Sequence, residues 1–231
     1  MGGVVALLLL AWLMVIAALA RHHRSLLAQL WAEPVLRRPV LIIESDDWGA
    51  GPLEQAEALQ KLSALLSTFS DSDGRHPKMT LGIILAIADT EAMRNVGLSA
   101  YCRLTLEHEC FAELRQLMLD GVEKGVFAAQ LHGMEHYWPP ALMQAANDDK
   151  SVRQWLLGEP LPQTENLPPA LQSRWLDGSV LPAQQLDRQL ISVAVDEELA
   201  LYKKIFSDAP QVVVPPTFVW NQMVEESWAR G

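Results

Sequence analysis

The stretch PVLIIESDDWG, residues 39–49, decides the fold of this chain. Its first half, Pro39–Glu44, is apolar and rich in β-branched residues, which is typical of a buried strand. The second half turns polar and places two acidic residues, Asp46 and Asp47, directly after that strand. In parallel sheets and barrels the functional side chains gather at the carboxyl ends of the strands, so this stretch predicts a site as well as a strand.

Strand-like and helix-like segments alternate through the rest of the chain. Helices are predicted at 52–69, 106–124 and 184–206. Further strands are predicted at 79–88, 126–131 and 211–214. Such alternation favours an α/β fold with a parallel sheet or a barrel over residues 39–231. Because only four strands are predicted, we expect an incomplete barrel, and we expect the chain to be a fragment of a longer one.

Residues 139–182 differ in composition, since they hold seven of the fourteen prolines of the chain. This Pro-rich excursion is expected to lie on the loop side of the barrel and to contain at most one helix, near 141–157. Long loops of this kind are usually either functional or disordered.

The N-terminal segment is apolar and carries no charged residue from Gly2 to Ala20. Nineteen helical residues span about 28 Å, close to the hydrocarbon core of a bilayer. A cleaved signal peptide is the alternative, but it usually has a basic start and a shorter apolar region. We therefore predict a single-pass transmembrane anchor at 1–24, a linker at 25–38 and a lipid bilayer as a partner. The arginines after the anchor favour a cytoplasmic domain, although the side of the membrane stays open.

The composition excludes two classes of protein. The formal charge of -10 argues against a nucleic-acid partner, because binding to phosphates needs a basic face. With 50% apolar and 20% charged residues, the chain is also too hydrophobic to be intrinsically disordered.

Two further motifs follow predicted strands. His132 and His136 are four residues apart in HGMEH, and on a helical turn this spacing would direct both imidazoles to one point, as in many zinc sites. The segment PPTFVWN, 215–221, starts with two prolines that hold the backbone extended, so Thr217–Asn221 is a candidate pocket wall.

Together these motifs resemble the polysaccharide deacetylases, over roughly Val40 to Asn221. ESDDWG with LHGMEH is most similar to a branch described as polysaccharide deacetylase-like. The resemblance implies a distorted (β/α) barrel, usually of seven strands, that removes acetyl groups from an amino sugar or polysaccharide. It implies Asp46 as the general base and Asp47, His132 and His136 as ligands of a divalent metal, which we expect to be zinc.

The resemblance has two departures. The family's third motif carries an arginine before its proline, whereas Val214 or Pro215 stands there in this chain. The family's general acid is a histidine in a later motif, and all four remaining histidines of this chain precede His132. Aromatic and polar residues near the three motifs are the candidate contacts to the carbohydrate substrate: Trp48, Trp138, Thr217, Trp220 and Asn221.

Two alternatives remain open. HGMEH also fits the H-x-x-E-H pattern of some zinc proteases, in which Glu135 would be the base. That chemistry needs a stable helix, which Gly133 and the prolines at 139 and 140 disfavour. The second alternative is a catalytically inactive, membrane-tethered domain that binds carbohydrate and metal but releases no acetate.

Overall fold

The computed structural model describes residues 2–33 and 40–231. It separates into two compact units, Met1–Leu41 and Ile42–Gly231. Residues 34–39, and with them the end of the linker predicted at 25–38 and the first residue of the strand predicted at Pro39–Glu44, lie outside the described residues.

The N-terminal unit is helical. α1, Gly2–His22, is long and apolar enough to cross a membrane, and none of it is buried, although signal sequences satisfy the same criteria. α2, Arg24–Ala32, occupies much of the segment predicted as a linker.

The larger unit mixes helices and short strands, so the predicted α/β class is confirmed. Its helices are α3 (Gln55–Leu66), α4 (Thr90–Asn95), α5 (Ala112–Glu123), α6 (Pro139–Asp148), α7 (Lys150–Leu157), α8 (Arg188–Phe206) and α9 (Gln222–Trp228). Its strands are β1 (Ile43–Gly49), β2 (Met79–Ile84), β3 (Ala86–Ala88), β4 (Arg103–Thr105), β5 (Phe127–Gly133), β6 (Leu176–Asp177) and β7 (Gln184–Gln185). Short 3₁₀ turns fill several connections.

A parallel sheet in the order β1–β2–β5 is the centre of this unit. The predicted fourth strand, 211–214, continues this sheet only as a parallel bridge between Val213 and Leu131. Two antiparallel pairs, β3–β4 and β6–β7, stand apart from it. The described residues therefore show an open parallel sheet and not a complete barrel.

The first strand lies further along the chain than predicted. β1 pairs with β2 from Ile43, opposite Met79, to Gly49, opposite Ile84. The side chains of Val40, Leu41 and Ile42 are exposed instead of buried. The apolar run therefore predicted a strand that begins too early. The strand begins only at Ile43, where the pairing with β2 starts.

The predicted strand at 79–88 is divided into β2 and β3. After Ile84 the chain leaves the parallel sheet, and β3 pairs antiparallel with β4. Because both segments are buried, they form one continuous apolar run in the sequence. The run gives no sign that the hydrogen-bonding partner changes within it. This division turns the chain away from the sheet next to the end of β5.

The prediction of at most one helix in the Pro-rich excursion is wrong. The excursion contains α6 and α7, separated at Asp149, which has an extended backbone and accepts hydrogen bonds from the first amides of α7. Its helices enclose a second apolar core with α8, which includes Tyr137, Trp155 and Trp175. The excursion is therefore a packed part of the domain.

Helix α8 joins the excursion to the parallel sheet. Asp187 caps its first turn, so it begins four residues later than the predicted start at 184. Tyr202, which is 4% exposed, donates a hydrogen bond of 2.9 Å to the carbonyl oxygen of Ala129 in β5. Its ring packs in the core beneath the sheet, among residues of α3 and α5.

Substitution of Tyr202 tests this packing. Tyr202→Ala should lower the free energy of unfolding by about 3–5 kcal/mol, since it removes a buried ring. Tyr202→Phe keeps the ring and should cost only about 0.5–1.5 kcal/mol for the hydrogen bond. Urea unfolding of the full chain in detergent micelles, followed by tryptophan fluorescence, measures both values. Equal losses in the two variants would contradict the packing.

Candidate metal centre

A β-bulge in β1 brings the two adjacent aspartates close to the same imidazole. Consecutive side chains of a regular strand point to opposite faces. The register between β1 and β2 shifts between Ser45 and Trp48, and Asp47 adopts a left-handed backbone with φ of 61°. Bulges redirect side chains in this way. Both carboxylates are about half exposed, and each lies within 4 Å of the same imidazole nitrogen, Nε2 of His132.

Gly82 of β2 makes room for this bulge. A β-carbon at that position would lie 3.0 Å from both Cα and Cβ of Asp46 and 3.4 Å from Cβ of His132. Real β-carbons rarely come so close to other atoms. The central strand therefore needs glycine where the acidic pair and the imidazole approach it from the two neighbouring strands.

His132 stands in β5 near its carboxyl end and is 1% exposed. Its Nδ1 lies 2.7 Å from the carbonyl oxygen of Val214. A carbonyl only accepts, so Nδ1 donates, and in the neutral ring Nε2 then carries a lone pair. That lone pair faces Asp47, whose Oδ1 is 3.4 Å away, and Nε2 has no hydrogen-bond partner in the described part of the chain.

His136 follows in the loop after β5, and its Nε2 is also 3.4 Å from Oδ1 of Asp47. The predicted helical turn is wrong: His132 belongs to a strand, His136 to a series of bends, and α6 begins only at Pro139. Gly133, with φ of 143°, starts the turn that returns the chain. The imidazoles converge through this turn and not through helical spacing.

When the His132 ring is neutral, its Nε2 and the Oδ1 of Asp47 are both acceptors, so a cation between these two atoms is needed for a favourable contact. Protons can supply it. Burial raises the pKa of the Asp47 carboxyl, but the polar contact with His132 and the positive charges that His136 and His132 carry when protonated outweigh burial and hold this pKa below its usual value. A metal ion is the other cation that fits.

The spacing of the donor atoms matches a metal ion. The ligand atoms of Asp47, His132 and His136 all lie within 4.8 Å of one another. Tetrahedral zinc has bonds of about 2.0–2.2 Å, which separates its ligand atoms by about 3.3–3.6 Å. Both carboxylate-to-imidazole distances, 3.4 Å, fall in this range. The residues present therefore fit a divalent metal.

Glu135, between the two histidines, belongs to a buried ion network. Its Oε2 lies 2.5 Å from Nη1 of Arg174, and its Oε1 lies 2.8 Å from Nε of Arg103. Nε of Arg174 also lies 3.3 Å from Oε2 of Glu198 in α8, and the same oxygen accepts a hydrogen bond from the backbone amide of Met134. Burial raises the pKa of Glu135 above its usual value, and the two guanidinium charges lower it only in part.

Two cavities border the site on different sides. One, of about 310 Å³, is lined by Asp46, Thr80, Gly82, Val214 and Phe218, among others. The other, of about 260 Å³, is lined by Asp47 and His136 together with the loops at 50–55 and 162–165. Asp46 and Asp47 thus face separate spaces although they are adjacent in the chain.

The structure places the five predicted substrate contacts elsewhere. None of them lines either cavity: they are Trp48, Trp138, Thr217, Trp220 and Asn221. Trp138 is 9% exposed in the second core, and Trp48 packs against the first. Trp220 donates to Glu225, and Asn221 caps α9. Phe218, inside the motif but not singled out, is the residue that reaches a cavity.

Few local signals indicated the residues that support the site. Arg174, Glu198 and Gly82 stand outside all three motifs, and the Pro-rich composition around Arg174 indicated only a loop. A buried charge has no local pattern in a sequence. Such residues could be suggested only by a polar side chain or a glycine where an apolar residue is expected.

The chain matches no protein-family model, no curated protein and no solved structure. The function therefore has to be argued from the geometry of the site.

Arg174 provides a test of the ion network. Arg174→Met should lower the free energy of unfolding by about 3–5 kcal/mol, because it leaves two buried carboxylates without their shared cation. Arg188→Met removes an exposed pair with Glu226 and is the matched control, which should leave stability nearly unchanged. Denaturant unfolding compares the two variants. Equal stabilities would show that Arg174 does not support the site.

Proposed function

We propose that this chain is a membrane-anchored, metal-dependent hydrolase that removes acetyl groups from an amino sugar or polysaccharide, as its resemblance to the polysaccharide deacetylases implies. One observation carries the proposal: two imidazoles, far from the acidic pair in the chain, both lie within 4 Å of Asp47, and that of His132 also lies within 4 Å of Asp46. The convergence joins the two motifs on which the resemblance rests.

Asp47, His132 and His136 would hold the metal. Two imidazoles and one carboxylate leave a position open, which is typical of catalytic zinc. When bound, a divalent metal supplies Lewis acidity that lowers the pKa of water toward about 7 and polarises a carbonyl. The hydrogen bond from His132 to Val214 keeps its Nε2 directed at Asp47, as outer partners of metal ligands commonly do.

Asp46 is the proposed general base. Its Oδ2 lies 3.8 Å from Nε2 of His132. Asp46 is therefore near the proposed metal ligands, but it is not one of the three residues whose ligand atoms all lie within 4.8 Å of one another. Its carboxylate is 49% exposed and borders the larger of the two cavities. It would take a proton from water as the oxygen of that water attacks the acetyl carbon. The C–N bond then breaks, the leaving nitrogen takes the proton held by Asp46, and the products are acetate and an amine.

Glu135 supports this assignment over the zinc protease. A protease base of the H-x-x-E-H type has to reach the reacting water from a helix. Glu135 is completely buried, both of its oxygens contact guanidinium groups, and its segment is not helical. Its position instead suits a residue that holds the loop between the two histidines.

Only a measurement of activity distinguishes the proposed hydrolase from the inactive carbohydrate-binding domain. His76 and His108, the other histidines of the larger unit, do not line the cavities beside Asp46 and Asp47, so neither lies where the family's general acid would be needed. Release of acetate separates an enzyme from a binding domain. The apolar helix α1 supports the proposed single-pass anchor, while the side of the membrane stays undecided.

Metal loading tests the proposed ligands. The full chain in detergent micelles should retain about one zinc ion after dialysis, and His132→Ala or Asp47→Asn should weaken zinc binding at least about tenfold. Asp71→Asn, in an exposed turn, is the control and should bind normally. Elemental analysis with chelator competition measures the loading. Unchanged zinc affinity in Asp47→Asn would refute the site.

Activity tests the proposed base. With zinc bound, the chain should release acetate from N-acetylglucosamine oligomers, and Asp46→Asn should lower kcat/KM by about 10²–10⁴-fold while zinc is retained. The assay measures acetate and zinc in the same samples. Peptide cleavage without acetate release would favour the protease instead, and full activity of Asp46→Asn would exclude this residue as the base.

A further inference from the structure

A third cavity, larger than the two already described, adjoins the one beside Asp47 and His136. It has a volume of about 640 Å³, and Pro52, Pro162 and Gln163 line both spaces. We call the two together the acidic groove. Cavities of this size hold organic ligands of several rings, so the groove offers more room than the reacting group alone would need.

The outer part of the groove combines apolar and hydrogen-bonding surfaces. Leu53, half exposed, and the edge of Trp155 supply apolar surface, and the Nε1 of Trp155 is fixed by a 2.7 Å hydrogen bond to the carbonyl oxygen of Gln163. Gln154 and Asn166 add amide groups that both donate and accept. Such a mixture suits a hydroxyl-rich ligand with apolar ring faces.

The charge of the groove has one sign. Glu54 and Glu159 line its outer part, and Glu165 and Asp47 line its inner part. No lysine or arginine lines either part. Within the described residues, Glu54, Glu159 and Glu165 form no ion pair. The groove therefore favours a neutral or cationic ligand and repels an anionic one.

The proposed reaction produces such a cation. Hydrolysis of an acetamide adds water across the C–N bond, so that acetate leaves and the amine nitrogen stays on the sugar. Once protonated, this amine carries a positive charge where the substrate was neutral. A chain that has been partly deacetylated therefore differs from the starting polymer by the charge that the groove attracts.

We propose that the acidic groove binds the free amino sugars of a partly N-deacetylated glycan while a neighbouring N-acetyl group occupies the metal centre. The inference rests on the proposed function, and it adds a substrate preference: chains that already carry amines bind better than fully acetylated or anionic chains. Glu54 and Glu159 are the residues that determine this preference, since they line the part of the groove furthest from the metal ligands.

A binding measurement tests the groove without catalysis. The probe is a glucosamine hexamer, fully deacetylated, titrated calorimetrically into the full chain in detergent micelles at low salt. The double substitution Glu54→Gln and Glu159→Gln should weaken binding about three- to tenfold, and added salt should weaken binding to the unsubstituted chain. Glu57→Gln, in α3 three residues after Glu54 and outside the groove, is the control and should bind normally. Equal affinities of the double variant and the control would overturn the proposal.

An activity measurement separates this proposal from the proposed function. Acetate release is compared between a fully acetylated hexamer and one in which half of the sugars carry free amines. The unsubstituted chain should prefer the second by about three- to tenfold in kcat/KM per acetyl group, and the double variant should lose the preference. Equal use of both hexamers would refute the groove and leave the hydrolase intact. Binding of the glucosamine hexamer with no acetate release from either substrate would refute the hydrolase and leave the groove as a binding site.

Discussion

The arrangement of this domain depends on one buried guanidinium. Arg174 lies in the Pro-rich excursion, is 1% exposed, and contacts both Glu135 after β5 and Glu198 of α8. Three distant parts of the chain therefore meet at one charge. Buried ion pairs contribute little net stability compared with apolar packing, but losing one partner is costly. The network accordingly fixes geometry: the loop that carries His136 has a single position relative to the sheet.

The sequence predicted the strands of the parallel sheet and three long helices, α3, α5 and α8, because their signals are local. Apolar runs located β2 and β5, and periodic apolar residues located α3. Boundaries were less accurate, since pairing partners and caps decide them: β1 starts where β2 begins opposite it, and Asp187 starts α8. The excursion was misjudged because prolines indicate loops, whereas these prolines lie at the start of α6 and in the turns between packed elements.

The proposed metal ligands Asp47, His132 and His136 lie together as predicted, but the geometric argument for the histidine pair was wrong. The spacing of His132 and His136 suggested a helix, and the structure achieves the same convergence with a strand, a glycine turn and a bulge in another strand. The aromatic residues of the motifs were unreliable guides, because a tryptophan next to a motif packs into the core as readily as it lines a cavity. Trp138 is such a residue.

The contact between His132 and Val214 has a thermodynamic consequence. Val214 belongs to a segment that is attached to β5 by only two backbone hydrogen bonds, one on each side of the bridge at Val213. The orientation of the His132 ring and the docking of segment 211–214 are therefore linked equilibria. A ligand that binds the imidazole stabilises the docked segment, and release of the segment weakens binding to the imidazole by the same free energy. Docking of the segment 211–214 would therefore change with any ligand that binds Nε2 of His132.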